Sequence, residues 1–185
     1  LRAVIDAYEA IEWTRRWRAP GSWQAVISRY ATGAEELREG RYVSLPRRGQ
    51  HLVGIIESIE GQMTDEGEIS ESWTVAGRDL GAILQGRICL HGTDAGTGYD
   101  EQIDVVGETA MRHYVEVNAV SPTDPDRAIP GLDLMLVDQG RGGTVKVRAR
   151  FQSLPEILES IALQTGLGWD VIYSFDTDEF LFDAL

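Results

Sequence analysis

The sequence predicts an α+β protein in two parts, a strand-rich, barrel-like domain over residues 1–90 and a smaller α/β domain over residues 99–185, joined by a linker at 91–98. Three observations predict it. Period-2 alternation of apolar residues dominates the first part, with only short helical stretches between strands. The second part alternates longer helical patterns with strands. Between them lies HGTDAGTG, a shift to small, turn-forming residues. A chain that is 43% hydrophobic and 25% charged has the composition of a folded protein.

The clearest element of the first part is IEWTRRWRAPGSWQAVI, residues 11–27. Ile11, Trp13, Arg15 and Trp17 alternate with Glu12, Thr14, Arg16 and Arg18, and beyond Pro20-Gly21 the residues Trp23, Ala25 and Ile27 share a face. That is a β-hairpin with one buried side. A short strand over Val4–Ala7 precedes it. Thr32–Glu39 reads as one or two helical turns closed by Gly40. Tyr42–Leu45 is a short strand before the turn at 46–49. Two longer runs, His51–Gln62 and Ile69–Ala76, flank a hairpin tip at 63–68. Ile69, Glu71, Trp73 and Val75 share one face of the second run. Gly77–Leu80 begins a short helix that runs through Leu84 and is ended by Gly86, and Arg87–Leu90 is extended.

In the second part, Ile103, Val106, Ala110, Tyr114 and Val117 keep near-helical spacing, which predicts a helix over Ile103–Asn118. The prolines in Ser121–Asp126 break it. Leu132–Val137 is extended, and Gly140–Gly143 reads as a hairpin-type turn into Thr144–Phe151. There Val145, Val147, Ala149 and Phe151 point inward, and Lys146, Arg148 and Arg150 outward. Ser153-Leu154-Pro155-Glu156 is a capping box with proline in the first turn. It starts a helix with Leu154, Ile157, Leu158, Ile161 and Ala162 on one stripe and Gly166 at its end. Trp169, Val171 and Tyr173 form the next strand, and Phe180–Phe182 a last one. Leu1 is not an initiator Met, and the sequence stops within an apolar stretch, so an incomplete chain is expected.

The formal net charge of −13 argues against general nucleic-acid binding. No apolar run approaches 18 residues, so no membrane span is expected. A single cysteine, Cys89, excludes an internal disulfide framework. Cys89 and His91 could share a strand face as metal ligands, but no second pair stands at motif spacing, and a Cys–His nucleophile lacks a recognisable context. Asp124-Pro125-Asp126 and Asp176–Glu179 read as polar turns rather than calcium loops. No cofactor, metal or catalytic residue is expected. Two basic clusters stand out: Arg15, Arg16 and Arg18 on the hairpin, and Lys146, Arg148 and Arg150 on the strand Thr144–Phe151. They are either solvated sheet faces paired to acidic neighbours or subunit contacts, where arginine is enriched. Sixteen of the 17 cations are Arg, which fits both an interface and a GC-rich genome.

Several blocks together are more specific: IDAYEAIEWTRRWRAPGSWQAVIS, EELREGRYVSL, GIIESIE, WTVAGRDLGAILQGRI, ETAMRHYVEVNAVSPTDPDRAIPGLDL and LPEILESIALQTGLGWDV. In this order they resemble the siphophage tail-hub proteins of the ReqiPepy type, over nearly the whole chain. WTRRW with Gly-Ser-Trp and VSPTDPDRAIPGL are the most specific segments. The resemblance implies a non-enzymatic structural protein of a phage or prophage tail tip, a hub that caps the tail tube in the virion. It implies a homotrimer in contact with the distal tail protein and other tail-tip proteins, with DNA passing its channel without specific binding. Residues 1–90 would be a first barrel, the α/β part an inserted domain, and a second barrel would follow Leu185. An acidic body suits such a channel, and the two basic clusters become candidate subunit contacts. The rival readings are a host-surface carbohydrate-binding module, which would expose at least two tryptophans along a groove, and a cell-wall hydrolase.

Overall fold

Alternating strands with one apolar face must stack that face on something, and in the computed structural model, which describes residues 2–47, 50–63, 69–90 and 98–185, those of the first part build one curled sheet. The turn at 48–49, the hairpin tip at 64–68 and most of the linker, with His91, lie outside the described residues. The chain forms two units, residues 2–15 with 20–80, and residues 16–19 with 81–185. The division falls between Leu80 and Gly81, ahead of the expected linker. The reason is that the backbone of Arg87–Cys89 bonds to that of 151–154, which puts this stretch in the second unit.

The first unit is a five-stranded antiparallel sheet in the order β1-β2-β5-β4-β3. Its strands are β1 (Tyr8–Thr14), β2 (Ser22–Ser28), β3 (Tyr42–Arg47), β4 (Gln50–Met63) and β5 (Ile69–Asp79). Trp23, Ala25 and Ile27 of β2, Ile56 of β4 and Val75 of β5 are buried together, with Ile11, Trp13, Val43, Ile59 and Trp73 packed around them. Trp13 lies opposite Trp23 in the register, and their rings stack at 5.7 Å. The Trp23 indole N–H donates to the Arg78 carbonyl oxygen at 3.2 Å. Gly54 makes room for it, since a Cβ there would stand 2.4 Å from that indole nitrogen.

Register shifts in β4 between Ile56 and Ser58 and between Gly61 and Met63 coil the long strands. The result is a half-barrel rather than the expected barrel-like closure. Among the described residues β1 and β3 remain edges, and Pro46, which lacks a ladder N–H, sits where an edge tolerates it. Val4–Ala7 is not a strand, although Ile5 packs on the core. The expected helix at Thr32–Glu39 is a single 3₁₀ turn, Ala34–Glu36, and β5 runs on to Asp79 before a 3₁₀ segment, Leu80–Gly86.

In the second unit, β6 (Asp100–Val106) pairs with β8 (Thr144–Ala149), and β10 (Glu179–Ala184) lies between β7 (Leu132–Leu134) and β9 (Trp169–Ser174). Helices α1 (Gly107–Val115) and α2 (Leu154–Thr165) pack together. The helix expected from Ile103 starts at Gly107, because Ile103, Val105 and Val106 are committed to the ladder with β8. α1 ends in a π-helical turn, Glu116–Val120, before the Ser121–Asp126 break. The expected hairpin across Gly140–Gly143 does not form: β7 runs parallel to β10, and β8 joins β6. The α2 capping box, its buried stripe and the left-handed Gly166 are all present. Phe151 points out rather than in, at φ 65° beyond the end of β8.

One ion cluster organises this unit. Glu108, in the first turn of α1, is fully buried, and Arg141 donates to it through Nε at 3.0 Å, Nη2 at 3.1 Å and its backbone N–H at 2.9 Å. Arg141 Nη2 also donates to Asp183 of β10 at 2.7 Å. The N–H groups of Gly107 and Glu108, unsatisfied by the helix itself, donate to the Gly143 and Arg141 carbonyl oxygens. Burial alone would raise the Glu108 carboxyl, but the Arg141 hydrogen bonds and charge outweigh it and hold it down at about 2.

Two outcomes follow. Gly54→Ala should destabilise the protein by about 1–3 kcal/mol through overpacking against Trp23. Gly61→Ala, whose nearest neighbour would be 3.6 Å away, should be nearly neutral; denaturant unfolding followed by Trp fluorescence compares them. The Glu108 carboxyl sits below its ordinary 4.5, so its stabilisation is complete above about pH 4.5 and is lost as pH falls towards 2. Glu108→Gln should therefore cost on the order of 3 kcal/mol at pH 7. Its gap to wild type should narrow steadily in unfolding curves taken from pH 5 to pH 2.5; a constant gap contradicts the assignment.

Candidate functional site

The first basic cluster does not sit on a strand. β1 ends at Thr14, so the alternation that separated Arg15 from Arg16 and Arg18 is lost in the loop before β2. Arg15 is exposed in the first unit; Arg16, exposed, and Arg18, half-buried, belong to the second. The Arg18 Nε is buried without a hydrogen-bond partner among the described residues. Between them Trp17 is fastened to the stretch before β9. Its indole N–H donates to the Gly166 carbonyl at 3.3 Å, and its own carbonyl accepts from Trp169 N–H at 3.1 Å. Gly168 permits this, since a Cβ there would lie 2.6 Å from the Trp17 ring.

The second cluster is a row. Lys146, Arg148 and Arg150 are exposed and alternate with buried Val145, Val147 and Ala149. The guanidinium carbons of Arg148 and Arg150 lie 5.1 and 5.7 Å from the centre of the Tyr99 ring, so one aromatic ring gathers two cations. Arg150 also lies 5.5 Å from the Phe151 ring. Across the ladder, Glu101 stands opposite Arg148 and Ile103 opposite Lys146. The surface thus mixes cations with Tyr99, Ile103 and Phe151. Sequence reasoning missed those three, having read Ile103 as helical and Phe151 as inward; the alternation Tyr99, Glu101, Ile103 was the available signal.

The groups considered for chemistry take structural places. Cys89 is fully buried, and burial, with Asp100 adding to it, pushes its thiol up to about 12, far from the thiolate a nucleophile needs. His113 Nε2 lies 2.9 Å from both carboxylate oxygens of Asp100, and the Tyr114 hydroxyl donates to the Asp100 carbonyl at 2.9 Å. Asp124 accepts from the Asp126 N–H at 3.2 Å, which is the polar-turn role. A hollow of about 390 Å³ on the first unit is lined by Glu12, Gln24, Glu57 and Arg78 among others, with Arg78 paired to Glu57. No helix among the described residues is long and apolar enough to cross a membrane.

The chain is similar over its whole length to a component of the type VI secretion system, the E. coli c3393 protein, described as structurally similar to the T4 bacteriophage tail proteins gp27 and gp5. The TM-score is 0.57 at 8% identity, with 100% of this chain and 46% of that one covered. A tail protein from Neisseria meningitidis MC58 matches at a TM-score of 0.47 and 16% identity, over 95% of this chain and 51% of the other. The chain thus spans about half the length of the solved structures it matches. Among curated proteins nothing matches the sequence. The model of one family covers residues 1–185, and the chain belongs to that family, the Siphovirus ReqiPepy6 Gp37-like proteins.

Proposed function

We propose that this chain is a structural, non-enzymatic component of a phage or prophage tail tip, part of the hub that caps the tail tube and links it to the distal tail protein. The observation that carries the proposal is the family match across residues 1–185. The fold likeness to a protein described as similar to gp27 and gp5 supports it. On this reading three copies surround the tube axis, the curled sheet of the first unit contributes to the ring, and DNA slides past an acidic wall without being held.

Arg15, Arg16 and Arg18, and the row Lys146, Arg148 and Arg150, are the proposed contacts between copies or with neighbouring tail proteins. A guanidinium gathered on an aromatic ring is already ordered and weakly hydrated, so docking costs it less than a free lysine. Arg148 and Arg150 beside Tyr99 fit that description best.

Tryptophan placement favours the hub over the sugar-binding alternative. Trp23 and Trp169 are buried, and Trp13 and Trp73 pack on the first core. Trp17, expected to be buried, is instead 53% exposed, yet its ring lies against Gly168. One exposed tryptophan is no stacking groove.

Charge reversal tests the contacts. Arg148→Glu with Arg150→Glu in the full-length protein should shift its mass in solution from three copies towards one, with far-UV circular dichroism unchanged. Arg15→Glu with Arg16→Glu should do the same more weakly. Retention of the wild-type mass by both pairs would remove the arginines from the interface.

A further inference from the structure

We infer that Arg148, Arg150, Tyr99 and Phe151 form a carboxylate receptor, and that the carboxylate it takes is carried by a second copy of this chain. Arg150 is its centre. Its guanidinium carbon lies 5.7 Å from the centre of the Tyr99 ring and 5.5 Å from that of Phe151, so two aromatic rings hold it. Arg148 shares the Tyr99 ring at 5.1 Å. A ring contact leaves the N–H groups of a guanidinium to bond elsewhere. Among the described residues neither guanidinium donates a hydrogen bond or enters an ion pair, although Glu101 stands opposite Arg148 in the ladder.

The backbone is distorted to build this arrangement. Alternation along β8 would carry residue 151 inward after Val145, Val147 and Ala149. Phe151 instead has φ 65°, in the left-handed region that a bulky side chain avoids, and its ring is turned out beside Arg150. Neighbouring bonds enforce that conformation. The Phe151 N–H donates to the Cys89 carbonyl at 2.7 Å, and the Cys89 N–H to the Gln152 carbonyl at 2.8 Å. The Arg150 N–H donates to the Gln152 side chain. A glycine would hold the same backbone at no steric cost, so the phenylalanine is there for its ring. Strain kept at an exposed site points to a binding role.

Two ordered guanidiniums side by side match the two oxygens of a carboxylate, which a planar fork binds through both. Charge selects its source. A chain with 30 acidic and 17 basic residues repels phosphate polymers, and it also repels its own copies. Copies gathered around an axis therefore need a contact in which acid meets base. A pair of guanidiniums with no carboxylate bound from its own chain supplies the base, and the neighbouring copy supplies the acid. The second-copy partner rests on the three-copy reading proposed above; the receptor rests on the ring contacts and the Phe151 backbone.

The test uses the full-length protein. Sedimentation over a concentration series gives the dissociation constant between copies for wild type, Arg150→Lys, Arg150→Ala, Phe151→Gly, and Arg150→Ala combined with Phe151→Gly. Arg150→Lys keeps the charge but loses the planar fork, and should raise that constant about tenfold with the melting temperature unchanged. Phe151→Gly should raise it to a similar degree. The combined variant should lose no more than Arg150→Ala alone, because the ring acts through the guanidinium. Carbodiimide should couple the amine supplied by Arg150→Lys to a carboxylate, and a mixture of heavy-isotope-labelled and unlabelled copies should yield mixed-isotope peptide pairs. Unchanged constants for Arg150→Lys and Phe151→Gly overturn the inference. So do fully additive losses in the combined variant, coupling confined to single-isotope pairs, or retention of the wild type on immobilised oligo(dT) that Arg150→Ala abolishes. A wild-type protein that stays a single copy overturns the three-copy reading and, with it, this partner.

Discussion

A carboxylate withdrawn completely from water stays ionised only if a cation is built around it, and the second unit of this protein is arranged so that Arg141 meets Glu108. The pair does three things at once. It places a negative charge in the first turn of α1, where the helix dipole favours it. It brings the carbonyl oxygens of Arg141 and Gly143 to the free N–H groups at that helix start. Through Asp183 it also ties the same loop to the central strand β10. The path from β7 to β8 is therefore a structural member rather than a hairpin, which is why the two strands it connects join different sheets.

The first unit answers a different constraint. A sheet with one apolar face must cover that face, and a long strand does so by bending over it. The shifts in β4 supply the bend, and Trp13, Trp23 and Trp73 supply the bulk beneath it. Among the described residues β1 and β3 are the edges of that sheet. With the family membership, this fold supports a structural role in a phage tail.

Legibility in the sequence followed the locality of the forces. α2 could be read whole, since Ser153 and Glu156 cap it within one turn and its apolar stripe repeats at helical spacing. β2 and β8 were readable because buried residues alternate along them with more exposed ones. α1 was placed four residues early, because Ile103 and Val106 satisfy a helical spacing and a strand equally well until the partner strand is known. The pairing of β7 with β10, and of Glu108 with Arg141 across 33 positions, is decided by tertiary packing and leaves no short-range mark. The candidate site was half visible: the alternation of Lys146, Arg148 and Arg150 was evident, but not the ring of Tyr99 that gathers two of them. Trp17 looked like a core residue because the strand was expected to continue; the loop it occupies is set by Gly166 and Gly168, about 150 residues away.

Electron cryomicroscopy of the tail tip, in particles that carry this protein, tests the central claim most directly. The account predicts three copies around the channel at the end of the tube, each recognisable by its curled five-stranded sheet and by the unit that holds α1 and α2. Density for the protein on a peripheral fibre, or its absence from the particle, would contradict it.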